Sequence, residues 1–71
     1  MNTRPGASVT RPDLRRARRS SFRATTAYRN AQFAVASGVP VAWEILEELE
    51  ITAMLERAAY DELRRRFTPT D

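Results

Sequence analysis

"FAVASGVPVAW", residues 33–43, is the stretch where the chain must turn. Gly38 suits the left-handed position that follows a helix, because a residue without a Cβ reaches positive φ at little steric cost. Pro40 suits the first turn of a following helix, where the N–H that proline lacks has no intrahelical partner. "SGVP", residues 37–40, therefore ends one helix and opens another. So short a connection between helices of similar length makes an antiparallel hairpin.

N-terminal to the turn, Leu14, Ala17, Ser21 and Ala24 recur in steps of three and four, and Tyr28, Ala31 and Val35 continue the series. That spacing lays them along one stripe of a helix. The stripe is mostly small, so it admits a close neighbour but buries little area itself. Thr10 is placed to cap this helix, Pro12 is tolerated in its first turn, and Asp13 stands where a capping-box acid belongs. Ser20 offers a second start. The arginines before it repel one another at four-residue spacing and oppose the helix dipole. With Ser20 as cap, residues 11–19 form an arm that orders only on binding.

C-terminal to the turn, a second helix is expected over 41–67. Its larger apolar stripe comprises Ala42, Leu46, Leu49, Ala53, Tyr60, Leu63 and Phe67, with Ile45 beside it and Glu56 interrupting it. A smaller apolar face lies nearly opposite: Ile51, Met54, Leu55 and Ala58, with Trp43 toward its edge. A helix in a two-helix hairpin buries one face against its neighbour, so the second face asks for another chain. A homodimer with a four-helix arrangement is the expectation. A bend near Ile51–Thr52 within a single subunit is the alternative. Glutamates lead this helix and Arg64, Arg65 and Arg66 end it, which suits its dipole. Asp61–Arg65 and Glu62–Arg66 are spaced to pair. Pro69 reads as a stop.

The chain has 71 residues and a net charge of +3, but the charge is divided. Residues 1–36 hold eight arginines and one acid, and residues 37–71 hold four arginines and eight acids. This is a basic front half joined to an acidic body. Every basic residue is arginine, a bias that a GC-rich genome also produces, so the clustering carries more meaning than the residue choice. Cysteine and histidine are absent. No disulfide is possible, the usual zinc ligand sets are missing, and a reducing, cytoplasmic setting fits. The first residues lack the apolar run of a secretory signal, and no segment approaches the length of a membrane span. The organisation expected is a flexible tail over 1–12, a helical hairpin over 13–67 (helices about 13–37 and 41–67) and a tail over 68–71.

Chemistry concentrates in "DLRRARRSSFR", residues 13–23, with Arg15, Arg16, Arg18, Arg19 and Arg23. Together with Arg11 and Arg29 these are the candidate nucleic-acid contacts. Guanidinium groups against phosphates release counterions, and such binding weakens steeply with salt. Phe22 and Tyr28 add stacking surfaces. In composition the stretch resembles the arginine-rich peptides of phage antitermination proteins, and the resemblance implies a helix seated in an RNA groove. Ala34, Gly38 and Val39 are also spaced as in a helix-turn-helix. The helix that follows carries Glu44 and Glu47 where apolar residues belong, and phosphates repel glutamates, so an ordinary helix-to-helix turn is the better reading.

The remaining chemistries are poorly served. Glu44, Glu47, Glu48 and Glu50 read as a solvated face, because di-metal bundles pair such acids with histidine. Without His, Cys or Lys there is no activated nucleophile or obvious base, and two glycines do not make a phosphate loop. The stripe of helix one is too alanine-rich to insert well at a membrane surface. The expectation is an all-α, non-enzymatic regulator without cofactor or metal. It binds RNA or DNA through its arginine-rich helix or arm and dimerises through helix two at Trp43, Ile51, Met54, Leu55 and Ala58. The competing expectation is an accessory or inhibitor protein, resembling the small helical proteins of phages and mobile elements. Such a protein docks on a host protein or nucleoprotein through the same helical surface, and its basic arm meets an acidic partner.

Overall fold

A computed structural model of the chain describes residues 9–67. Those residues form two helices, α1 (Arg11–Ala36) and α2 (Trp43–Arg66), which pack against each other. With 26 and 24 residues they extend about 39 and 36 Å at 1.5 Å per residue. They run antiparallel over their full length. The guanidinium of Arg11, the first residue of α1, sits over the Phe67 ring just past the end of α2, 5.8 Å from its centroid. A helix-turn-helix instead crosses its helices at about 90–120°.

Both ends of α1 close as local chemistry dictates. Thr10 Oγ1 accepts a hydrogen bond from the Asp13 N–H (3.2 Å), and Asp13 Oδ2 accepts one from the Thr10 N–H (3.1 Å). This reciprocal box satisfies two donors that a helix start would otherwise leave open. It also holds the Asp13 carboxyl below its ordinary pKa, chiefly through the Thr10 backbone and side-chain hydrogen bonds, with a smaller contribution from Arg16. The helix then continues unbroken through Ser20 and Ser21. Val9, in the segment read as tail, is buried, and it occupies the position of a hydrophobic staple whose partner position is Leu14. At the far end Gly38 has φ 92°, as the turn requires. The Val39 N–H donates to the Ala34 carbonyl (2.9 Å) and the Gly38 N–H to the Val35 carbonyl (3.0 Å). These are the paired bonds of a Schellman ending.

The turn differs from expectation in one respect. α2 begins at Trp43, so Pro40 lies in the connection and not in the first turn of the helix. The chain must cross to an axis about 8–10 Å away, and residues 39–42 make that crossing. A proline also disfavours the helical region for the residue before it, here Val39. Ala42, counted above as part of the apolar stripe, is instead the exposed N-cap and makes no side-chain cap bond. At the other end Glu62 pairs with Arg65, three residues on, and not with Arg66. α2 runs continuously through Ile51 and Thr52. The readings of residues 1–8 as tail and of Pro69 as a stop lie outside the described residues.

The seam between the helices is narrow. Leu46, Leu49, Tyr60, Leu63 and Phe67 of the larger stripe are half-buried, as is Glu56 among them. Ser21 of α1 and Ala53 of α2 are the most buried helical positions, at 9% and 8% exposure. Their small side chains let the helices approach closely, but they remove little apolar area from water. No large side chain among the described residues is fully buried. No described helix is long and apolar enough to cross a membrane.

Candidate nucleic-acid interface

One flank of the hairpin carries an open groove along the seam. From α1 it is lined by Arg15, Arg18, Arg19 and Arg29, with Phe22 and the hydroxyls of Ser21, Thr25 and Thr26. From α2 come Arg57, Tyr60, Asp61 and Arg64. A second concavity shares Arg15, Arg18 and Tyr60 and extends the groove to Arg11, Leu14 and Phe67 at the start of α1. The arrangement follows from helical geometry. At 100° per residue, Arg11, Arg15, Arg18 and Arg29 fall on the side of α1 adjoining its apolar stripe, and Arg57 and Arg64 fall on the matching side of α2. Antiparallel packing turns both sides toward the same flank.

Its electrostatics are one-sided. Among the described residues, six guanidinium groups line the main groove and Asp61 is the only carboxylate lining it. Arg64 lies 5.9 Å above the Tyr60 ring, a cation–π contact that holds a charged head at the wall of the groove. Arginine is suited to such a place, since its planar fork meets two phosphate oxygens at once and cannot be deprotonated.

The expected arginines divide between two locations. Arg11, Arg15, Arg18, Arg19 and Arg29 line the two concavities. Arg16 and Arg23 point elsewhere: Arg16 sits 3.6 Å from Asp13, and Arg23 is exposed without lining either one. Tyr28, counted above among stacking surfaces, lies half-buried on the packed stripe, where its hydroxyl accepts a hydrogen bond from Gln32 (3.1 Å). Arg57 and Arg64 were not among the sequence candidates. Their signal is their seven-residue spacing beside the apolar stripe, which has meaning only once the hairpin brings that side next to the arginines of α1.

The apolar candidates lie apart from the groove residues. Ile51, Leu55 and Ala58 project from the side of α2 turned away from α1, with Met54 and Trp43 at its edge. Met54, Leu55 and Trp43 remain between 63% and 66% exposed, and Ile51 is half-exposed. Among the described residues no cluster of carboxylates could hold a metal ion. Comparison of the chain with protein-family models, curated proteins and solved structures gives no match. The functional reading therefore rests on the residues themselves.

Proposed function

We propose that this protein is a small non-enzymatic regulator that binds nucleic acid, RNA or DNA, in the arginine-lined groove between its helices. The observation that carries the reading is the contribution of α2. The helix belongs to the acidic half of the chain, yet it brings Arg57 and Arg64 to the groove that Arg15, Arg18, Arg19 and Arg29 line. A merely solvated basic arm has no reason to recruit cations from the other helix. A continuous cationic groove concentrates a polyanion and speeds its capture.

The test separates placed charge from net charge. Arg57→Ala with Arg64→Ala removes two groove cations, and Arg16→Ala with Arg23→Ala removes two cations elsewhere. In gel shifts at two salt concentrations the groove pair weakens binding more and lowers the dependence of log K on log salt by about two. Equal losses from both pairs would mean that only total charge matters. No shift at low salt would end the proposal.

We further propose that two copies associate through the outer face of α2, at Ile51, Met54, Leu55 and Ala58 with Trp43 at the rim. What supports a second copy is the shortage of core. A hairpin with no fully buried large side chain among its described residues needs a further staple, and this face is apolar from Ile51 to Ala58 and unused by α1. The accessory-protein reading rests on the same exposed residues. In it a host protein takes the place of the second copy.

A further inference from the structure

The groove arginines have company that a duplex does not call for. Phe22 and Phe33 are 71% and 74% exposed, the highest exposures among the large apolar residues of the two helices. They stand eleven residues apart, which returns them to the same side of α1 within about 20° and separates them by about 16 Å along its axis. Arg15 and Arg19 precede Phe22 on that side, and Arg29 lies between the two rings. Phe22 itself lines the groove. The cation–π contacts among the described residues use Phe67 and Tyr60, so the faces of Phe22 and Phe33 are left open. Thus guanidinium and phenyl groups alternate along one side of α1, with Phe22 at a concavity whose other wall holds two more arginines and Phe33 beyond its end.

From this alternation we infer that the ligand is a single-stranded nucleic acid, its backbone tracked by the groove arginines and its unpaired bases stacked on Phe22 and Phe33. The inference rests on the nucleic-acid reading above and narrows it. Two physical arguments favour a single strand over a duplex. Bases in a duplex have no free faces to offer, and a phenyl ring pressed on a phosphate backbone strips water from the phosphates without a hydrogen bond in return. Stacking on an exposed aromatic ring instead strengthens binding to unpaired bases of any sequence. The shape of the site agrees. Readers of duplex DNA push a single helix into the major groove, about 12 Å wide, whereas this site is a concavity shared by two helices. Insertion of a phenylalanine wedge into the minor groove, about 6 Å wide, requires the duplex to be kinked and partly unstacked, a cost that unpaired bases do not carry.

The experiment uses the full chain and three labelled probes of equal length, on the order of 20 units so as to exceed a single site. They are oligothymidylate, its duplex with oligoadenylate, and an abasic deoxyribose-phosphate strand. Anisotropy titrations should rank oligothymidylate at least about tenfold tighter than either of the others. Phe22→Ala and Phe33→Ala should each weaken oligothymidylate binding by about fivefold or more and leave its salt slope unchanged, because the phosphate contacts remain. Phe22→Tyr and Phe33→Tyr should restore it, whereas leucine at either site should not. Both rings are exposed, so circular dichroism should show unchanged helix content in all these variants.

Two outcomes overturn the inference alone. If the duplex or the abasic strand binds as well as oligothymidylate, with the loss at Arg57→Ala and Arg64→Ala intact, then the groove holds phosphates and the rings do not hold bases. If Phe33→Ala instead abolishes a nuclease-resistant capture of a protein and spares oligothymidylate, the ring belongs to a protein contact. If none of the three probes binds at low salt, the groove reading falls as well.

Discussion

The two helices have nearly the same length and opposite surface chemistry. α1 packs largely through small residues, and its exposed surface carries seven arginines and two phenylalanines among small and polar side chains. α2 packs through leucines and aromatics and carries a second apolar face with no partner among the described residues. A stripe of alanine and serine gives proximity without much hydrophobic gain, so α1 adds little to the stability of the pair beyond bringing its charges close. α2 supplies most of the apolar area on the seam and keeps more of it outside. The difference separates two jobs by surface: the flank shared by both helices is cationic, and the back of α2 is the surface that association would use.

The strongest way to break this contrast is to charge the back of α2. Met54→Glu with Leu55→Glu should convert the proposed dimer to a subunit of half the mass in analytical ultracentrifugation. In a symmetric pair each substitution acts twice, and burial of each such side chain contributes roughly 1.5–3 kcal/mol. The same change should leave the groove arginines in place, so the isolated subunit should still bind nucleic acid, with the avidity of paired sites lost. A wild-type protein that sediments as one subunit refutes the dimer directly.

How far this contrast is legible in the sequence depends on whether the signal is local. Gly38 announces the turn because only its missing Cβ makes a φ of 92° cheap, and Thr10 with Asp13 announces the cap because both partners lie within one helical turn. The stripes are legible for the same reason, since periodicity is a property of one helix. Val9 is not, because a single apolar residue among polar ones has no period. Arg57 and Arg64 are not, because their meaning depends on α1, some 40 residues away in the chain. Read alone, they belong to an acidic half and look like charge balance. Pro40 misleads, because the local preference for a helix start yields to the distance the chain must cross.

A sharper test of the seam is to enlarge its narrowest point. Ala53 is 8% exposed, the least exposed residue of the two helices. Ala53→Leu should force the helices apart and cost about 1–3 kcal/mol in thermal or urea unfolding, although leucine has nearly alanine's helix propensity. Ala58→Leu, on the back of α2, is the matched control. It should not destabilise the hairpin, and by widening the apolar face it should favour association. If Ala53→Leu stabilises the hairpin, then the seam is loose at that point and proximity is not what the small residues provide.

The smallest expected effect falls on the start of α1, where like charges crowd a helix terminus that disfavours them. Thr10 and Asp13 are what the structure sets against that repulsion. Thr10→Ala removes one half of the box and should cost about 1 kcal/mol, with the loss confined to the first turns of α1 in hydrogen exchange. The acid response follows from the sign of the Asp13 shift. Its carboxyl is held below its ordinary value of 3.8 by hydrogen bonds that exist only in the folded chain. The stabilisation is therefore fully present above that value and is lost as pH falls through the lowered folded value. Protection of the Leu14, Arg15 and Arg16 amides should fall over that acid range in the wild type, and Asp13→Asn should remove the dependence. If protection of these amides is unchanged between neutral pH and pH values well below 3.8, the cap does not hold the arginine-rich turns, and another contact, such as Arg11 on Phe67, must do so.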